Sequence, residues 1–287
     1  MNNSNIPFIK SILHPTDFSP ASEKAFAHAL AIALLRQTEF TILHVGNNQS
    51  DEIQWKEFPA VRKTLERWNL LEKGSPREAV FEQLGVRIRK SARSGFTTTS
   101  AILKYLQNDP VDLVVLATEG REGMSRLTKQ SKAEIVADAS NALTLFVPSQ
   151  GKSFIQLNNG DISLECILIP IDSQPSPAAV IEFSTRAAQI LGMDNSVEII
   201  LLHIGNDPTV LDLNLPENPA WNFRKEVRQG NPVDIIISAA EQFSADAIFM
   251  TTAGHQGIFD ALRGSTTEQV VRQAPCPLLA VPQSWSK

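Results

Sequence analysis

The residues with the clearest chemical potential lie in one short run, TAGHQGIFDALRGST, at positions 252–266. Gly254, Gly257 and Gly264 follow an apolar run, DAIFMT, and precede a helical pattern, TTEQVVRQA. A glycine has no Cβ, so backbone N–H groups in such a turn can approach a ligand closely. A helix N-terminus adds unpaired N–H groups and partial positive charge. Ser265 and Thr266 add hydroxyl donors. The chemistry this supports is anion binding, above all of a phosphate chain. The bland alternative is a tight strand-to-helix turn, for which glycine is the ordinary residue.

The run does not match the common phosphate loops. A P-loop needs a lysine after its last glycine, and none stands there. GKS does occur at 151–153, but Phe146 occupies the place of the leading glycine. The dinucleotide fingerprint belongs after the first strand of a domain, where this chain has HPTDFSP and PIDSQPSP instead.

The elements around the turn are written twice. Residues 112–148 align without a gap on 246–282, matching Asp112, Thr118, Gly120, Gly123, Ser131, Glu134 and Pro148 to Asp246, Thr252, Gly254, Gly257, Ser265, Glu268 and Pro282. SILHPTD at 11–17 echoes CILIPID at 166–172, and TILHVG echoes ILLHIG. Two homologous domains are therefore expected, at 1–148 and 164–287, joined by the polar linker 149–163.

Within each half, short β-branched runs alternate with amphipathic segments. SILHPT, FTILHV, VRIRKS, DLVVLAT and LTLFVP read as strands. SEKAFAHALAIALLR reads as a helix with Phe26, Leu30 and Ala33 on one face, and Ser75-Pro76-Arg77-Glu78 reads as a helix start. Apolar strands alternating with helices make a parallel sheet covered on both faces, so each half is a five-stranded doubly wound α/β domain. The last strands, LTLFVP and PLLAVP, are edges that invite pairing, so the halves should pack through them around a pseudo-twofold axis. The first half carries helical patterning from Asp51 to Leu84. The second has only a Pro- and Asn-rich stretch there, and so lacks one covering helix.

Composition sets outer limits. With 26 basic and 31 acidic side chains the formal charge is −5, which argues against a nucleic-acid-coating surface. No apolar run approaches the roughly 20 residues of a membrane helix, and the N-terminus has no signal pattern. A cytoplasmic location with Cys166 and Cys276 as reduced, buried thiols is the economical reading. His44 and His203 stand at equivalent strand ends without metal-ligand company, so they read as hydrogen-bonded structural histidines. His255 is the histidine placed to touch a phosphate. No catalytic constellation can be assembled from spacing.

A first strand ending in PTDFS, a second ending in LHV, then Gly-x-x-Gly, Gly-Ser and VVRQAPCPLLAVP together resemble the universal stress protein family in its tandem form. The resemblance covers both halves. It implies a flavodoxin-like or adenine-nucleotide α-hydrolase-like fold and a non-enzymatic stress-response protein. The implied ligand is ATP or a related adenine nucleotide, with Mg as its companion ion; the protein partners are unidentified, and the sequence leaves a homodimer of the whole chain open. By resemblance, the aspartate after the first strand and the end of the second strand hold the adenosine, and the glycine turn holds the phosphates. In the second half these are Asp172, Ile204, Gly254, Gly257, Gly264, Ser265 and Thr266; in the first they are Asp17, Val45, Gly120, Gly123 and Ser131. Asp17 and Asp172 read equally well as local caps. Two departures stand out: the spacer Ile258–Arg263 is shorter than the family's usual one, and Gln130 replaces the glycine of the first half. The first site therefore reads as degenerate and the second as better kept. The alternative is a ligand-free interaction scaffold. An ATP-cleaving pyrophosphatase would need a Ser-Gly-Gly turn after the first strand, which HPTDFS is not.

Overall fold

The computed structural model describes residues 9–46, 55–94, 97–118, 142–174, 176–191, 196–252 and 266–283. The first half supplies strands β1 (Ser11–Thr16), β2 (Glu39–Gly46), β3 (Arg87–Ser94), β4 (Leu113–Thr118) and β5 (Leu143–Pro148). The second supplies β6 (Cys166–Ile171), β7 (Val197–Ile204), β8 (Trp221–Arg228), β9 (Ala247–Thr252) and β10 (Leu278–Pro282). They form one sheet in the order β3-β2-β1-β4-β5-β10-β9-β6-β7-β8. Pairing is parallel within each half and antiparallel between β5 and β10, with Leu145 opposite Leu279. Each half is thus a five-stranded, doubly wound α/β domain, and the two are related by a pseudo-twofold axis at that seam.

The helices are α1 (Pro20–Arg36), α2 (Val61–Arg67), α3 (Ala79–Leu84), α4 (Thr98–Asn108), α5 (Ala178–Leu191), α6 (Pro232–Gln242) and α7 (Thr266–Gln273). Their starts follow local chemistry. Ser19 caps α1 by accepting from the Ser22 N–H, with Pro20 in the first turn, and Asn231 caps α6 in the same way ahead of Pro232. Helices α1, α2, α3 and α5 bury one face of the sheet, and α4, α6 and α7 bury the other. In α1 burial is continuous from Ala25 to Ala33 and includes Phe26, Leu30 and Ala33, so this part of the helix is enclosed nearly all round.

One expectation needs correction. Ser75 does not cap a helix: its hydroxyl donates to the Glu72 carbonyl, and α3 begins only at Ala79, with Glu78 at the cap position and no side-chain cap bond. The helical patterning of Asp51–Leu84 takes the form, in its described part, of the short helices α2 and α3. Between β7 and β8 the second half has a single 3-10 turn (Pro208–Leu211) and an extended stretch whose Leu213 and Leu215 cover the sheet.

The repeated aspartates hold equivalent joints. Asp112 Oδ2 accepts from the N–H groups of Lys10 (2.7 Å) and Ser11 (3.0 Å). Asp246 Oδ2 accepts from Glu165 and Cys166 (both 2.8 Å). Each carboxylate ties the start of its half's fourth strand to the start of the first. Asp246 also pairs with Lys152 at 2.6 Å, and Lys152 donates to the Ser244 carbonyl. On the other side of the linker, Lys24 reaches the Gly151 carbonyl and His28 Nε2 meets Ser153 Oγ at 3.2 Å. Gly151 sits at φ +90°, and a Cβ there would strike the Pro275 carbonyl, so this position requires glycine. The GKS triplet is a clamp between the two halves.

Replacing Asp246 by Asn removes a charged acceptor from two backbone N–H groups. An urea titration should show a loss of about 2 kcal/mol. A second expectation concerns acid. Burial lowers the imidazoles of His14 and His28 to about 4, overriding their hydrogen bonds to carbonyls. The unfolded chain takes up these protons below its ordinary value near 6.5, while the fold refuses them until about 4. Their contribution is therefore complete above pH 6.5 and lost as pH falls towards 4. Between pH 7 and 5 the two together should cost roughly 4 kcal/mol of unfolding free energy. A His14→Gln/His28→Gln variant should show a flatter profile.

Candidate functional site

Strand order reverses beside the first strand of each half: β6 lies between β7 and β9, and β1 lies between β2 and β4. Segments leaving adjacent strands at such a point part in opposite directions and open a crevice at the carboxyl ends. In the second half, Asp172 follows β6 at this end of the sheet, and the helix α7 that returns the chain from β9 to β10 begins at Thr266. Thr266 is the first residue of α7 and is partly exposed. Ile204 ends β7, with its side chain partly buried. Asp172 is exposed; its Oδ1 accepts from the Ser173 N–H at 2.7 Å, which leaves Oδ2 open to a ligand.

Behind this rim, His203 Nδ1 lies 3.1 Å from the Ile171 carbonyl. A carbonyl only accepts, so Nδ1 carries the proton. His203 Nε2 is buried without a hydrogen-bond partner. Gly205 packs against it so closely that a Cβ would stand 2.6 Å from that nitrogen. The ring thus fixes the end of β7 against the end of β6, next to Asp172.

The first half uses the same device and then fills the space. His44 Nδ1 donates to the Thr16 carbonyl at 2.9 Å. Phe18 stands where the second half has Ser173, and it adopts φ +63°. That left-handed backbone is costly for a side chain of this size. It lays the Phe18 ring on His44, with centroids 4.1 Å apart and planes 16° apart. Phe58 meets both rings edge-on, and Trp55 stacks on Phe58 at 5.3 Å. Asp17 follows β1 and turns inward on its own loop, with Oδ1 accepting from the Ser19 N–H. Burial raises its carboxyl, but the Ser19 hydrogen bonds outweigh this and hold it below the usual carboxylate value. Val45 is buried on the opposite face of the sheet, so only its main chain faces the crevice side.

The structure therefore brings Asp172, Ile204 and Thr266 to one end of the sheet, and Asp17 and Val45 to one end of the first half. Gly120, Gly123, Ser131, Gly254, Gly257, Gly264 and Ser265 lie outside the described residues, as does His255. Because β5 and β10 run antiparallel, the two crevices open at opposite ends of the sheet.

Several residues escaped the sequence reading. Ser22 Oγ lies 3.2 Å from His14 Nε2 and 2.9 Å from Thr16 Oγ1, with His14 Nδ1 on the Val115 carbonyl. This serine–histidine contact is fully enclosed, and its work is to pin the PTDFS turn to β4. The aromatic ladder was readable only as Trp55 and Phe58 spaced three apart in a segment that one half alone possesses. Among the described residues, no group of three His, Cys, Asp or Glu could hold a metal ion. Both cysteines are free and buried, and burial pushes the thiols of Cys166 and Cys276 up to about 11 and about 12, which suppresses thiolate chemistry. No helix among the described residues is long and apolar enough to cross a membrane.

These features agree with what the chain is similar to. A universal stress protein of Methanothermobacter thermautotrophicus is 43% identical over 63 residues, covering 22% of this chain and 42% of that protein. One from Methanocaldococcus jannaschii is 41% identical over 139 residues, covering 45% of this chain and 81% of that one. Among solved structures, a universal stress protein from Archaeoglobus fulgidus has a TM-score of 0.63 at 17% identity, covering 96% of this chain and 98% of its own. That likeness speaks for the fold. The profile of the Universal stress protein family matches residues 9–148 and 213–282, most of the chain, and the protein belongs to that family.

Proposed function

We propose that this is a tandem, non-enzymatic stress-response protein of the cytoplasm whose second half binds an adenine nucleotide such as ATP. The observation that carries this reading is that Asp172, Ile204 and Thr266, the first residue of α7, come to one end of the sheet at its switch point, with Ser173 where the first half has a stacked phenylalanine. Asp172 would hold the ribose hydroxyls, and the main chain at Ile204 would meet the base. The glycine turn, Ser265, Thr266 and the first N–H groups of α7 would take the phosphates. Bound there, the nucleotide supplies negative charge and a large, specific contact surface to the crevice. A Mg ion would be carried by phosphate oxygens and water, since the described residues offer no metal cluster. Nucleotide occupancy would favour one arrangement of the glycine turn by binding that arrangement better, and partner proteins would read the difference.

The first half fits a structural role, because Phe18 stacked on His44 already occupies the gap between the ends of β1 and β2. The reading thus assigns one crevice site per chain. In isothermal titration with ATP, Asp172→Ala should weaken this binding event tenfold or more, the usual consequence of deleting a charged hydrogen-bond partner. Asp17→Ala should change it by less than about twofold, as expected for a residue outside the site. Equal losses in the two variants, or none in either, would contradict the assignment.

A further inference from the structure

The net charge of the chain is −5, yet β3 reads RIRKSARS, four cations and no acid, on an edge of the sheet. Arg87 is paired with Glu39. Lys90 is not: its ammonium lies over the Phe58 ring, 5.7 Å from the centroid. Arg62, four residues beyond Phe58 at the start of α2, donates to the Ser75 carbonyl at 2.9 Å, two residues before Arg77 in the chain. Among the described residues, no ion pair joins Lys90, Arg62 or Arg77 to a carboxylate. Trp55 completes the group, stacked on the other rings through Phe58 and 53% exposed.

We propose that Trp55, Lys90, Arg62 and Arg77 form a second ligand site, on the first half, for a phosphate ester carrying a planar ring. Cations with no carboxylate paired to them among the described residues repel one another, and a fold gains nothing from that arrangement by itself. Burial first, and then Arg77 and Arg62, lower the proton affinity of Lys90. An anion placed among them would remove the repulsion, and each guanidinium can offer it a fork of N–H donors. The exposed indole offers a π-face to a base, which is a stacking interaction worth having even for an unpaired ring. Phe58, 3% exposed, holds the indole in place from beneath. Trp55, Arg62 and Arg77 stand on the segment between β2 and β3, whose two helices the second half replaces by a 3-10 turn and an extended stretch, and the site is independent of the β6/β9 crevice.

The test is a tryptophan-fluorescence titration of the full chain carrying Asp172→Ala, so that failure of the crevice reading and failure of this one are separable. ATP, adenosine and inorganic tripolyphosphate are the probes. ATP should quench saturably, and Trp55→Phe should abolish the quenching. Lys90→Gln, or Arg62→Gln/Arg77→Gln if the first variant is unstable, should raise the midpoint about tenfold. Tripolyphosphate should displace ATP, and adenosine should bind at least tenfold more weakly. No quenching by ATP in the Asp172→Ala chain, quenching that survives Trp55→Phe, or a midpoint unmoved by the charge variants would each overturn the proposal.

Discussion

The whole molecule depends on how β5 and β10 satisfy their edges. Every residue of LTLFVP and of the β10 run LLAVP is buried, with leucine and valine packed on one face and Phe146, Leu278 and Ala280 on the other. Such a strand cannot end a sheet in water without exposing a row of N–H and C=O groups beside apolar surface. Pairing the two edges antiparallel removes both liabilities at once. It also fixes the pseudo-twofold axis and places helices α1 and α5 on one face. The carboxyl ends of the two sets of strands then point away from each other. The Lys152–Asp246 pair and the contacts of Lys24 and His28 lock the linker across this seam.

From that symmetry the halves have diverged. Both use a histidine near the end of the second strand to hold the carbonyl before the aspartate, at 2.9 Å for His44 and 3.1 Å for His203. In the first half a strained Phe18 covers this histidine, and an aromatic ladder extends outward to Trp55 beside a group of cations. In the second half serine takes the place of Phe18, and the covering segment shrinks to a 3-10 turn. One half has traded openness at the crevice for packed rings and outer charge. The other keeps the crevice rim polar and its flank thin. A duplicated fold can divide its labour in this way because each crevice is built by its own strands and neither needs the other's side chains.

The strands were readable because their burial on both faces leaves short, mostly apolar runs: SILHPT and LTLFVP are β1 and β5 to the residue. The pairing of the halves was readable from the same runs, as unpaired edges. The helix start at Ser75 misled because its hydroxyl found a nearer acceptor in the Glu72 carbonyl, a choice that depends on the turn and not on the capping pattern. The repeated aspartates were visible as a match between halves, but their role, bridging strand starts 101 residues apart for Asp112 and 80 for Asp246, needed the register. The Lys90–Phe58 and Ser22–His14 contacts depend on which side of a strand or turn each residue faces, and local spacing is silent on that.

The central claim is that the nucleotide belongs to the β6/β9 crevice. A crystal structure of the chain grown with saturating ATP tests it most directly. Ligand density touching Asp172 and the first turn of α7 is the predicted result. An empty crevice in those crystals, or a nucleotide lodged instead between Asp17 and the end of β4, would contradict the account.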